Sequence, residues 1–129
     1  MLGNQGKACK VTQVLVPGAK ADTAAATSLW IDCRHYDGDI VIISQTGTVT
    51  GGSITPVLHT ASDDTGTGDV AITPNEGAFT AITTSNDPLT EKRTIDARDH
   101  SGYLGIVGTI VTGPVDYGVI IIAQQRYLS

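Results

Sequence analysis

Glycine, proline, asparagine and aspartate cut this chain into apolar runs too short to be ordinary helices. Runs such as "KVTQVLV", "DIVIISQ", "SITPVLHT", "YLGIVGTIV" and "DYGVIIIAQQ" are rich in Val, Ile and Thr, side chains that fit a pleated, partly buried surface. Between the runs stand Pro17-Gly18, Asn75-Glu76-Gly77, Asn86-Asp87-Pro88, His100-Ser101-Gly102 and Gly113-Pro114, all strong turn signals. No stretch carries an apolar stripe of helical period. Turn signals about 8 to 12 residues apart predict an all-β fold of about eight to ten short strands. Two sheets of about four strands each, a jelly-roll-like β-sandwich, fit that count.

Individual runs carry finer expectations. The first strand ends at Pro17-Gly18, and "AKADTAAATS" is a loop or extended connection. Residues 1–27 are therefore an N-terminal arm, first strand and linker, and residues 28–129 the sandwich, within one domain. In "LWIDC" alternation puts Leu29, Ile31 and Cys33 on one face. The unbroken "DIVIISQ" suits a strand covered on both faces. Pro56 has no N–H to give a ladder, which suggests an edge strand or a bulge.

At 129 residues the chain can bury roughly two-thirds of its unfolded surface and needs no staple. Its net charge of −5 and pI near 4.8 argue against nucleic acid and anionic membranes as partners, since phosphate binding needs clustered Lys and Arg. No apolar run matches a signal-peptide core or a membrane span, so synthesis in a cytoplasm is expected. Cys9 and Cys33 in a reducing compartment read as two small buried thiols without a redox role.

One phrase is written twice: "IDCRHYDGD" at 31–39 and "IDARDHSGY" at 95–103. Asp32, Arg34 and Gly38 match Asp96, Arg98 and Gly102 at a spacing of 64 residues, about half the chain. Equivalent corners of a pseudo-symmetric fold are the simplest account, with the glycines supplying turn conformations. Asp and Arg two apart on a strand share a face. Side-by-side antiparallel copies would bring Asp32 to Arg98 and Asp96 to Arg34.

Catalysis finds little support, because no pair of carboxylates signals the differing environments that acid–base chemistry needs. The expectation is no enzyme and no cofactor. His35, His59 and His100 share no metal spacing with one another or with the cysteines. Asp63, Asp64 and Asp69 in "SDDTGTGD" are the one weak calcium candidate, although they miss the helix-flanked calcium pattern; an ordinary polar hairpin tip is the alternative.

Residues 28–128 follow a recognisable layout: "LWIDCRHYDGDIVIISQTGTVTGGSITPVLHTASDDTGTGDVAIT", then "IDARDHSGYLGIVGTIVTG", then "YGVIIIAQQRYLS". This is similar to a diffuse group of small structural proteins of tailed bacteriophages. That group often has an Arg-Tyr pair after the second turn; here Gly102-Tyr103 stands there, and Arg126-Tyr127 follows the last strand. The resemblance implies a virion role on the capsid surface, as a decoration or cement protein bound to a major capsid protein, often as a symmetric dimer or trimer. Lys7, Lys10, Val14, Leu15, Arg126 and Tyr127 are the partner-binding candidates. The arm would add to a partner's sheet edge, unless "KVTQVLV" is simply the domain's own first strand. A head-completion, neck or tail protein is the nearest alternative, and a carbohydrate-binding β-sandwich module a second.

Overall fold

From Ile40 to Thr46 every second side chain is buried, Ile40 and Ile42 completely, the alternation a pleated strand imposes when one face meets a core. The computed structural model describes residues 9–100 and 102–125. Its strands are β1 (Cys9–Lys20), β2 (Ile31–Asp32), β3 (Tyr36–Val49), β4 (Ser53–Ala61), β5 (Val70–Ala71), β6 (Ile82–Thr83), β7 (Leu89–Asp96), β8 (Tyr103–Val111) and β9 (Val115–Gln125).

Two antiparallel sheets result. Sheet A has the order β1-β9-β3-β7; sheet B has the order β2-β8-β4-β5, with β6 also paired to β4. Strands β1 to β4 alternate between the sheets, as do β7 to β9. This is the strand order of a jelly roll. Ile40, Ile42, Tyr117 and Ile121 of sheet A meet Ile54, Leu58, Leu104 and Ile106 of sheet B, and none of the eight is more than 1% exposed.

The fold corrects several local expectations. β1 runs through Pro17-Gly18 to Lys20, with register shifts between Gln13 and Leu15 and between Leu15 and Gly18. A strand at the sheet edge tolerates a proline whose missing N–H would face outward. β1 pairs with β9 along its length, so the described part of the arm belongs to the sandwich. β2 is only two residues long; Leu29 is exposed and Cys33 buried, so the single face expected for "LWIDC" does not form. Only one face of β3 is covered, leaving Val41 and Ile43 half-buried on the other. β4 is not an edge strand, yet its flank is open at Pro56: β6 pairs with Ser53 and Ile54, β5 with His59 and Thr60. The proline falls in the gap, where a missing N–H breaks no pairing on that side.

Polar groups enter the core at one end of sheet A. The Tyr117 hydroxyl lies 3.0 Å from Ser44 Oγ, and burial pushes the Tyr117 phenol far above its ordinary pKa. Thr46 Oγ1 is buried beside them without a hydrogen-bond partner, and desolvating an unpaired hydroxyl costs about 1–3 kcal/mol. Thr46→Val keeps the shape and removes the hydroxyl. We expect it to stabilise the protein by about 1 kcal/mol, read as a higher urea midpoint with an unchanged slope.

Candidate functional site

The duplicated phrase occupies the two places where the chain arches from one sheet to the other. After β2 comes a single 3-10 turn, Cys33–His35, and the chain crosses from sheet B into β3 of sheet A. After β7 comes the matching turn, Ala97–Asp99, and the chain crosses from sheet A into β8 of sheet B. The two turns lie beside each other.

The register makes the relation quantitative. Ile31 and Asp32 pair with Leu104 and Tyr103, while Ile95 and Asp96 pair with Ile40 and Asp39. Adding 64 to the first strand of each pair, and subtracting it from the second, turns one ladder into the other. The relation extends one strand further: Val57↔Val107 and Leu58↔Ile106 in sheet B correspond to Ile120↔Ile43 and Ile121↔Ile42 in sheet A, with β9 offset by 63 from β4. Thus β2-β3-β4 and β7-β8-β9 are related by a pseudo-two-fold that exchanges the sheets.

Each aspartate caps its own turn. Asp32 Oδ1 accepts from the Arg34 backbone N–H at 2.9 Å, and Asp96 Oδ1 accepts from that of Arg98 at 2.9 Å. Each arginine then folds back on the same carboxylate, Arg34 Nη2 at 2.6 Å from Asp32 Oδ2 and Arg98 Nη2 at 2.9 Å from Asp96 Oδ2. These ion pairs form within each copy and not by the expected exchange between copies, because capping turns the residue two places on toward its own aspartate. The Asp32 hydrogen bonds and charge raise the Arg34 pKa, and the Arg98 hydrogen bonds lower that of Asp96. The glycines differ: Gly38 is left-handed (φ +72), whereas a Cβ on Gly102 would collide with the Ala61 carbonyl oxygen.

The hairpin at 62–69 is tied by its own carboxylate. Asp63 Oδ1 accepts from Thr65 N (3.0 Å), Thr65 Oγ1 (2.8 Å) and Thr67 N (3.1 Å); hydrogen bonds from Thr67 and Thr65 hold Asp63 far below the usual carboxylate range. Asp69 Oδ2 turns to His59 Nδ1, 2.7 Å away but without hydrogen-bond alignment. Asp63, Asp64 and Asp69 do not converge, and among the described residues no three His, Cys, Asp or Glu side chains are grouped to hold a metal. The Asp63 carboxylate is used in the loop's own hydrogen bonds, the polar hairpin tip that was the alternative to calcium.

Of the partner-binding candidates, Lys10 is exposed, but Val14 and Leu15 are 2% and 9% exposed and pack into the core. That corrects their assignment: a bulge in β1 turns both inward, and the strand adds to this domain's own β9. Lys7, Arg126 and Tyr127 lie outside the described residues. Cys9 is exposed, not buried as expected; Cys33 is buried, and burial followed by the Asp32 charge pushes its thiol up to about 11.

Sheet A's far edge is closed by carboxylates that the sequence reading missed. Glu76 accepts from the backbone N–H of Thr94 (2.7 Å) and from its hydroxyl (2.6 Å), and Glu91 receives Thr80 N (2.8 Å) and Arg93 Nη2 (3.0 Å). Arg93 also stands over the Phe79 ring at 5.4 Å. Residues 75–80 thereby cover β7, which would otherwise be an open strand edge. Thr94 lowers the Glu76 pKa, so Asp63, Glu76 and Asp96 all sit below their ordinary values of 3.8 for Asp and 4.5 for Glu. Depressed carboxylates stabilise the fold above the unfolded-state values, and that contribution is lost as pH falls through and below them. We expect a calorimetric Tm that declines below about pH 5, with Glu76→Gln lowering Tm at neutral pH and flattening the decline.

These features define an antiparallel jelly-roll sandwich with two capped arches and one covered edge. No protein-family model matches the chain, and no curated protein sequence matches it. Among the described residues no helix is long and apolar enough to cross a membrane.

Proposed function

We propose that the chain is a structural protein of a tailed-phage virion, a decoration or cement protein that binds the outer surface of the major capsid shell and stabilises it. The layout of residues 28–128 carries this reading. The fold is compatible with it: a short, capped sandwich that presents sheet faces and edges, with Asp32 and Asp96 used in caps and Glu76 and Glu91 in edge closure.

One observation weighs against the carbohydrate-binding alternative. Sugar-stacking platforms need open aromatic faces, yet among the described residues Tyr36, Phe79 and Tyr117 are buried, Tyr103 is half-buried, and Trp30 is half-buried against Gly66 and Gly105. The test is the copy number of this protein in gradient-purified particles, by quantitative mass spectrometry against the most abundant shell protein. Hundreds of copies in a simple ratio to the shell are expected. A handful would assign it to the neck or tail, and absence from particles would overturn the virion reading.

A further inference from the structure

The pseudo-two-fold supplies its own control. At four equivalent outward positions sheet A carries Val41, Ile43, Ile120 and Ile122, whereas sheet B carries Gly105, Val107, Val57 and His59. Trp30 lies on sheet B's Gly105, where a Cβ would stand 2.7 Å from the ring. The two outer faces therefore differ: sheet A is aliphatic at all four of these positions, sheet B at two, with Trp30 laid over a third. Val11 on β1, 63% exposed, pairs with Ile122 and extends the band to the sheet edge.

We infer that this face of sheet A is an isologous dimer interface, occupied by the same face of a second copy of this chain. Two properties select that occupant. The first is size: four strands roughly 4.8 Å apart, of 12, 11, 14 and 8 residues and so about 11 on average at roughly 3.4 Å each, present about 700 Å². A standard interface buries about 800 Å² per partner. The second is self-complementarity. A two-fold axis along the strands exchanges β1 with β7 and β9 with β3. Ile120 then lies over Ile43 of the second copy and Ile122 over its Val41. Lys92 meets Gln13, Asp37 meets Gln124, and Asp116 meets Gly47, so none of these three charges meets a like charge despite the chain's net charge of −5.

This inference holds whether or not the chain belongs to a virion. Sedimentation velocity of the full chain over a wide concentration range should give a dimer. Ile43→Lys should give a monomer with unchanged circular dichroism. Val11→Lys, at an exposed edge position that cannot unsettle the core, should weaken the dimer at least tenfold. In a Cys9→Ser background, Gln13→Cys with Lys92→Cys should be joined between chains by a short bis-maleimide. A wild type that stays monomeric, or forms a trimer, overturns the proposal, as does a dimer that survives both lysine substitutions. A monomer that coats capsid particles, and loses them on Ile43→Lys, would also overturn it by giving the face to the shell while leaving the virion reading intact.

Discussion

Truncating Ile42 to alanine lowers the unfolding free energy by about 2–5 kcal/mol, and truncating Ile106 lowers it by a similar amount. Both side chains are wholly buried, and each leaves a cavity that surrounding strands cannot fill without breaking register. They are also pseudo-equivalent, since Ile42 pairs with Ile121 as Ile106 pairs with Leu58. Either loss is a large share of the roughly 5–15 kcal/mol that holds a domain together. Urea unfolding of the two variants checks this, and a loss under about 1 kcal/mol for either would contradict the packing described.

A comparable loss is expected from a change of one methyl group at the opposite end of β3. Gly52 has φ +78, and a Cβ there would fall on the Val111 carbonyl oxygen. The left-handed backbone costs a side-chain-bearing residue about 1–2 kcal/mol. The collision adds about 1–3 kcal/mol, because that oxygen belongs to the end of β8, paired to Ser53. Gly52→Ala should therefore destabilise by about 2–5 kcal/mol. Gly51, with open space at its Cβ position, is the control: Gly51→Ala should be neutral or mildly stabilising. Equal effects at the two glycines would refute the geometry of this turn.

Much of the architecture was legible because strands declare themselves locally. β-branched runs, punctuated by glycine and proline, carried the fold class, and the doubled Asp-x-Arg phrase marked the two arches. What that phrase does was not legible. An aspartate that caps a 3-10 turn and an aspartate on a strand face look alike in sequence, so the arginine partner was misjudged. Val14 and Leu15 were misread for a similar reason: two consecutive inward residues require a bulge, which no alternating pattern announces. The roles of Glu76 and Glu91 depend on contacts 18 and 11 residues away, beyond the reach of local pattern. The unbroken "DIVIISQ" was read as covered on both faces; within one copy it is covered on one.

That uncovered face is where the two pseudo-equivalent halves differ, since sheet A is aliphatic at all four outward positions and sheet B at two. The direct test is sedimentation of Ile120→Lys beside Val57→Lys, substitutions at pseudo-equivalent outward positions of the two sheets. Ile120→Lys should abolish the dimer while Val57→Lys leaves its mass unchanged. Dimers of equal strength in both variants, or loss of the dimer in Val57→Lys alone, would contradict it.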